Sequence, residues 1–290
     1  MLKFRIISSC LMGAAFLVAV QWLPAIGLWL LALALALACQ REFYGMARES
    51  GVRPFAGTGL LCGALWISAV FLGARQAGAA ALRWEQGLAA AITLMIFLRV
   101  FFGKNHATPL ASVAMTLLGV GYVPLLLSYL LRLAFLEESA QWLTPLDTTG
   151  RRVVLYAVVV VKCSDIGAYT AGRLFGRHKL FPRLSPKKTW EGLAGGLVSA
   201  ALASVVFSLA GGGALGVLAF SLPHALALGV LLALAGVAGD LFESQIKRAA
   251  GVKDSSALIP GNGGVLDVFD SLLFAAPVMH AYAVWALGAG

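Results

Sequence analysis

Long apolar runs alternate with short polar segments along almost the whole of this 290-residue chain. Nine such runs are centred near residues 14, 32, 66, 94, 120, 162, 200, 229 and 280. A membrane-spanning helix needs roughly 17–25 mostly apolar residues, and each run can supply them. The pattern therefore predicts an all-α, polytopic membrane protein with about nine transmembrane helices. Polar residues are sparse inside the runs before residue 150, so we expect two regions, 1–150 and 151–290.

Composition supports a membrane protein and excludes a soluble domain. Hydrophobic residues make up 60% of the chain and charged residues only 12%, whereas a soluble domain is about one quarter charged. The four cysteines lack CxxC spacing, which argues against a zinc site or a disulfide framework. The apolar segment after Lys3 and Arg5 is too long for a signal peptide, so we expect it to be retained.

Positive charge is distributed unevenly between alternate polar segments. One set of alternate segments carries 16 Lys and Arg residues and the other set carries 5, with Lys162 inside a run. By the positive-inside rule, the N-terminus is cytoplasmic and the C-terminus is outside. We expect an inner-membrane protein in which the segments 173–191 and 240–270 share the cytoplasmic face.

The first polar cluster interrupts the valine-rich sixth run. Lys162, Asp165 and Tyr169 are spaced three and four residues apart, so a helix places them on one face. Ionisable groups inside a membrane are costly and usually functional. A neutralised structural ion pair is the alternative.

The second cluster is the basic segment that ends in Ser-Pro-Lys-Lys-Thr-Trp-Glu-Gly, residues 185–192. We expect Ser185 to cap a helix whose first position is Pro186. A helix N-terminus with two lysines binds anions well, and a triphosphate is a natural ligand. Contact with anionic lipid is the alternative. Gly195 and Gly196, just beyond, predict close helix packing.

The third cluster closes the eighth run with four polar residues at helical spacing. They are Asp240, Glu243, Ser244 and Lys247. Mg²⁺ favours one or two carboxylates together with substrate phosphate oxygens, so this stripe is a candidate metal site.

The fourth cluster, residues 260–271, combines glycines with two acids. Asp267 and Asp270 fall one turn apart where the ninth run begins, and the glycines let phosphate approach backbone amides. Gly-rich sequence with an aspartate is a weak signal alone. It becomes a strong one because it closely follows Lys253-Asp254-Ser255-Ser256.

These clusters together resemble the phosphatidate cytidylyltransferase (CDP-diacylglycerol synthase) family. The resemblance is carried by Ser164-Asp165-x-x-Ala168-Tyr169, by residues 185–192, by Gly239-Asp240-Leu241-Phe242-Glu243-Ser244-x-x-Lys247-Arg248, by Lys253-Asp254-Ser255 and by Pro260-Gly261-x-Gly263-Gly264-x-x-Asp267. The family's activity would be transfer of a cytidylyl group from CTP to phosphatidic acid, which makes residues 151–290 the catalytic transmembrane region. It also implies Mg²⁺ and a second, monovalent cation such as K⁺, held between the aspartates matching Asp240 and Asp267. A homodimer is expected from the family alone, and we expect no nucleic-acid partner.

The expected site residues fall into three groups. Catalytic roles are expected for Asp240, Asp267, Lys188 and Lys247. Metal ligands are expected among Asp240, Glu243, Asp267 and Asp270. Substrate contacts are expected from Asp165, Tyr169, Ser185, Lys187, Thr189, Glu191, Ser244, Arg248, Lys253, Asp254, Asn262, Gly263 and Gly264.

Two positions depart from the family pattern. The family loop usually has histidine where this chain has Asn262, and arginine where it has Val268. Asparagine can donate and accept hydrogen bonds but carries no charge, and valine removes a guanidinium.

Three alternatives to the simple activity stay open: another lipid phosphate as substrate, a non-catalytic lipid-binding homologue, or a transporter using Lys162 and Asp165. The transporter is the weakest, because the densest polar clusters lie at the membrane edge.

Overall fold

The computed structural model describes residues 13, 15–73, 79–102, 108–136, 149–182, 184–259 and 263–288, with the backbone alone at 79–83. Eight helices in these segments are long and apolar enough to cross a membrane. They match eight of the nine predicted runs and confirm a mostly helical, multi-pass membrane protein. The run centred near residue 14 lies largely outside the described residues and stays a prediction.

The helices are numbered in chain order. Their bounds are α1 Ala25–Glu49, α2 Ala56–Gly73, α3 Ala79–Leu98 with a 3₁₀ turn at Arg99–Phe102, α4 Pro109–Val120, a π-helical turn at Gly121–Leu125, α5 Leu126–Ala134, α6 Thr149–Phe175, α7 Trp190–Ala210, α8 Leu222–Ala249 and α9 Leu266–Ala286. Two antiparallel hairpins pair β1 Lys179–Phe181 with β2 Ser185–Thr189, and β3 Ala214–Leu215 with β4 Leu218–Ala219. The described cysteines Cys39, Cys62 and Cys163 form no disulfide.

The chain forms two compact units. The first holds the described residues up to Phe135 and those within Ile246–Phe269. The second holds Leu136 and the described residues of Asp147–Gln245 and Asp270–Gly290. The division predicted at residue 150 separates N-terminal transmembrane helices from a catalytic transmembrane region, and it stays a prediction.

A buried polar network fixes the second half of α1 in the first unit. The Gln40 side-chain amide donates to the Tyr44 hydroxyl (3.0 Å) and to the Gly59 carbonyl (2.9 Å). The Tyr44 hydroxyl in turn donates to the Thr116 carbonyl (3.0 Å). Gly59 leaves the space that the Tyr44 ring fills, since a Cβ there would overlap it. Buried hydrogen bonds of this kind are costly to leave unmade, so the segment between Gln40 and Tyr44 is held firmly against α2 and α4.

Small residues bring α6 and α7 together in the second unit. A Cβ on Gly195 would overlap the Ala171 methyl group, and a Cβ on Gly167 would overlap the Ser199 side chain. Gly196 lies against Ala168 in the same way. Close backbone approach through small residues is the usual packing of membrane helices, and it confirms the packing predicted for Gly195 and Gly196.

The segment 185–189 is a strand, so the predicted helix start at Ser185 was wrong. Ser185–Thr189 pairs with Lys179–Phe181. This pairing keeps residues 186–189 extended, so the helix cannot begin at Pro186. Thr189 is the cap instead, because its side-chain oxygen accepts the Gly192 N–H at 3.0 Å. Helix α7 therefore begins four residues later than predicted, at Trp190.

Candidate active site

The second unit brings a strand lysine to a helix aspartate. Lys188 Nζ lies 2.9 Å from Asp240 Oδ2, while the Ser244 hydroxyl donates to Asp240 Oδ1 at 3.3 Å. The Lys188 side chain is only 21% exposed, and that of Asp240 is 38% exposed. Asp240 directly follows Gly239, whose missing side chain lets α8 approach the backbone of α9 at Asp270. The contact brings together residues of the second and third clusters.

Three carboxylates of the second unit lie close enough to repel one another. They belong to Asp165, Asp240 and Asp270, and the amine of Lys162 attracts both Asp165 and Asp270. Lys162 Nζ lies 3.4 Å from Asp165 Oδ2, as expected for residues three apart on a helix. Carboxyl groups gathered beside an amine are of the type that can provide oxygen ligands to a cation.

Tyr169 does not join this cluster, although it shares helix α6 with Asp165. It is 61% exposed, and its hydroxyl accepts a hydrogen bond from Arg173 at 3.3 Å. The i,i+4 spacing places two residues on one face without joining their side chains.

Glu191 holds the β1–β2 hairpin at its base. Its carboxylate accepts the backbone N–H groups of Arg177 (3.1 Å) and His178 (3.2 Å) and lies 2.6 Å from His178 Nδ1. The same carboxylate lies in the first turn of α7, where negative charge is favourable. Glu191 therefore ties the start of the hairpin to α7, and direct contact of Glu191 with substrate stays a prediction.

In the first unit, Asp267 is surrounded by donors. Its Oδ1 lies 2.6 Å from Lys247 Nζ. Its Oδ2 accepts the Ser255 N–H (2.9 Å), the Ser255 hydroxyl (2.7 Å) and the Gly264 N–H (2.7 Å). The side chains of Lys247 and Asp267 are only 13% and 9% exposed. The Asp267 carboxylate thus meets one amine, one hydroxyl and two backbone N–H groups.

Glu42 of α1 is a further member of this cluster that the sequence analysis missed. It is 6% exposed and accepts the Ser255 hydroxyl (3.0 Å), the Ser256 hydroxyl (2.7 Å), the Val265 N–H (3.0 Å) and the Leu266 N–H (2.8 Å). One signal was available. Glu42 lies in the segment 40–56, which the positive-inside rule assigns to the same side as 240–270.

Two glycines allow the loop to close around these carboxylates. Gly263 has a φ of +93°, a region that residues with side chains rarely adopt. At Gly264, a Cβ would overlap both the Ser255 hydroxyl and the Glu42 carboxylate. Gly263 also exchanges backbone hydrogen bonds with Ile259 (2.8 and 3.2 Å), which ties together the two sides of residues 260–262. Asn262 itself lies outside the described residues.

The remaining predicted site residues differ in their exposure. Glu243 is fully buried, whereas Lys187, Arg248, Lys253 and Asp254 are exposed. Among the described His, Cys, Asp and Glu residues, no group of three is arranged to hold a metal ion. The carboxylate oxygens of the clusters are nevertheless the donor type that Mg²⁺ prefers, and Mg²⁺ commonly takes only one or two of them.

Comparison with known proteins identifies the family. A family model described as the cytidylyltransferase family matches residues 3–286. The chain belongs to the cytidylyltransferase family. Its motif residues Lys188, Asp240, Lys247 and Asp267 all lie within that match, which confirms the resemblance inferred from them.

Several curated relatives in this family are named phosphatidate cytidylyltransferase. The protein of Staphylococcus saprophyticus is 38% identical over 153 residues, 52% of this chain and 56% of that protein. The protein of Bacillus subtilis is 42% identical over 137 residues, 47% of this chain and 48% of that protein. The protein of Haemophilus influenzae is 45% identical over 128 residues, 44% of either chain. The chain thus spans about half the length of the curated relatives it matches.

Proposed function

We propose that this protein transfers a cytidylyl group from CTP to phosphatidic acid, giving CDP-diacylglycerol and pyrophosphate. The observation that carries the proposal is the pairing of two motif lysines with motif aspartates, Lys188 with Asp240 and Lys247 with Asp267. Such pairs orient ammonium groups at positions where phosphate oxygens can replace a carboxylate as their partner. Family membership and relatives named phosphatidate cytidylyltransferase support the choice of reaction.

The reaction is an in-line substitution at phosphorus. A phosphatidate oxygen forms a bond to the α-phosphorus of CTP, and the bond from that phosphorus to the β-phosphate oxygen breaks, so that pyrophosphate leaves. The attacking oxygen is already anionic and needs no base to remove a proton. The activation barrier is then lowered by neutralising the phosphate charge and by aligning the reacting groups. These roles suit the ammonium groups of Lys188 and Lys247.

We also propose that the protein binds Mg²⁺ together with a monovalent cation such as K⁺. The carboxylates of Asp240 and Asp267, with Glu243 and Asp270 as further candidates, would supply protein oxygens to these cations. Bound Mg²⁺ supplies charge neutralisation at phosphate oxygens. The protein's own groups orient the carboxylates, through Ser244 at Asp240 and through Ser255 and Gly264 at Asp267.

The setting we propose is the inner membrane, with a cytoplasmic N-terminus and with the motif segments on the cytoplasmic face. This orientation lets a soluble nucleotide meet a lipid headgroup at the bilayer surface, and it follows from the uneven distribution of Lys and Arg. A homodimer stays a prediction.

The decisive experiment is turnover by the purified protein in detergent or nanodiscs with labelled CTP, phosphatidic acid and Mg²⁺. We expect a CDP-lipid from the wild type and a loss of about 10²-fold or more from Asp267→Asn, which removes a buried charge next to Lys247. Glu49→Gln, an exposed acid outside the clusters, is the control and should retain wild-type turnover.

Absence of product from a folded wild type would contradict the proposal. The same assay with other lipid phosphates separates a different substrate from a non-catalytic homologue. Restoring the family residues with Asn262→His and Val268→Arg then tests whether those two departures set the rate or the substrate.

A further inference from the structure

We infer that Glu42 is a positioning residue for the proposed reaction, because it caps helix α9 and thereby holds the Asp267 carboxylate in place. The inference rests on the proposed function for its kinetic effect. Its structural part stands on the contacts of Glu42 within the first unit.

Each Glu42 oxygen binds one hydroxyl and one backbone amide. Oε1 accepts from Ser256 (2.7 Å) and from the Val265 N–H (3.0 Å). Oε2 accepts from Ser255 (3.0 Å) and from the Leu266 N–H (2.8 Å). The first amides of a helix have no partner within the helix, and α9 begins at Leu266. A carboxylate from α1 therefore satisfies the start of a helix more than two hundred residues further along the chain, where negative charge also suits the helix dipole.

The link to Asp267 is the Ser255 hydroxyl. Its oxygen lies 2.7 Å from Asp267 Oδ2 and 3.0 Å from Glu42 Oε2. A hydroxyl carries one proton, so the two carboxylates share a single donor. Any movement of Glu42 changes the hydrogen bond available to Asp267, which follows on the first turn of the same helix.

The geometry requires a carboxylate and not merely a polar side chain of that size. In Glu42→Gln, the NH₂ group of the new side chain would face either the Val265 N–H or the Leu266 N–H. The serine hydroxyls can rotate to accept a hydrogen bond, but a backbone N–H cannot. Glu42→Gln therefore places two donors against each other at a side chain that is only 6% exposed, while Glu42→Asp keeps two accepting oxygens on a shorter side chain.

The test compares Glu42→Gln with Glu42→Asp and with the matched control Glu49→Gln, which lies exposed two turns further along α1. We expect Glu42→Gln to lower kcat by about 10²-fold, the effect of roughly 1 Å of misplacement, with little change in the KM for CTP. Glu42→Asp should recover a measurable part of kcat, and Glu49→Gln should match the wild type. Wild-type kcat in Glu42→Gln, or equal losses in both glutamine variants, would overturn the inference.

A second measurement does not depend on turnover. Hydrogen exchange at the Val265 and Leu266 amides should be faster in Glu42→Gln than in the wild type and unchanged in Glu49→Gln. Unchanged exchange in Glu42→Gln would overturn the inference, whereas failure of the wild type to make a CDP-lipid would overturn only the proposed function. If Glu42→Gln does not fold, the Ser255→Ala variant is tested in its place. It removes the shared donor and should lower kcat by about tenfold, or 1.36 kcal/mol, and an unchanged kcat would overturn the inference.

Discussion

Lys188 Nζ and Asp240 Oδ2 lie 2.9 Å apart, which joins strand β2 to helix α8 within one unit of the protein. Their separation in the sequence is more than fifty residues, and both come from segments that match the family's motifs. The contact shows that the basic hairpin and the acidic helix end belong to one cluster. The ammonium group is thereby held next to Asp240.

Replacing Lys188 with methionine should impair turnover while leaving the fold intact. Lys188→Met removes the ammonium group but keeps a flexible side chain of similar length, so we expect kcat/KM for CTP to fall by about 10²-fold. Steady-state kinetics with CTP varied at fixed phosphatidic acid give this value. Lys179→Met, an exposed change on the neighbouring strand, is the control. Equal effects of the two changes would contradict a specific role for Lys188.

Breaking the pair between Lys247 and Asp267 should reduce stability as well as activity. Both side chains are largely buried, at 13% and 9% exposed, and removing one partner of a buried ion pair typically costs about 3–5 kcal/mol. We expect Lys247→Met to lower the free energy of unfolding by an amount near the lower end of that range, measured by denaturant unfolding in detergent. Arg248→Met, on the exposed face of the same helix, should change stability by about 0–1 kcal/mol. A stable Lys247→Met protein would show that the pair does not hold the loop.

Gly264→Ala should destabilise the loop around Glu42 and Asp267. The added methyl group would overlap the Ser255 hydroxyl and the Glu42 carboxylate, and overpacking of this kind costs about 1–3 kcal/mol. The matched control is Gly57→Ala, where nothing lies within 4 Å of the new Cβ and where alanine favours the helix by up to about 1 kcal/mol. Thermal unfolding of the two variants side by side gives the comparison, and a neutral Gly264→Ala would argue against the tight contact.

Gly195→Ala should weaken the packing of α6 against α7. The new methyl group would meet that of Ala171, which forces the helices apart, so we expect a lower unfolding temperature in detergent. Gly87→Ala in α3 adds the same group to an exposed helix position with open space around it, and it should be neutral or stabilising. Similar behaviour of the two variants would contradict close α6–α7 packing.

The helices could be predicted because membrane-spanning helices are recognisable in a sequence by their length and apolar content. The eight spans agree with the runs in the sequence, and the one-turn spacing of Asp267 and Asp270 at the start of α9 follows from helical periodicity alone. The partners of the motif lysines were not predictable in this way. Lys188 and Asp240 are joined by tertiary packing, which no local pattern records.

Two features of the structure differ from the sequence-based expectation, and each difference has a specific physical cause. The strand at Ser185–Thr189 was mistaken for a helix start because Ser followed by Pro also marks helix N-termini, and the competing pairing with Lys179–Phe181 lies across a turn. Glu42 was passed over because its role depends on amides and hydroxyls more than two hundred residues away. A lone acid at the end of an apolar run gives no local indication of such partners.

The strand at 185–189 gives the two adjacent lysines different environments. Successive side chains of a strand leave opposite sides of the ribbon, and accordingly Lys188 reaches Asp240 while Lys187 is exposed. On a helix the two side chains would have diverged by only about 100°, close enough to act as one doubly charged patch. The hairpin instead separates a lysine that pairs with Asp240 from one that is exposed. Moving a lysine by one position along this strand would therefore carry its charge through the ribbon to the other side.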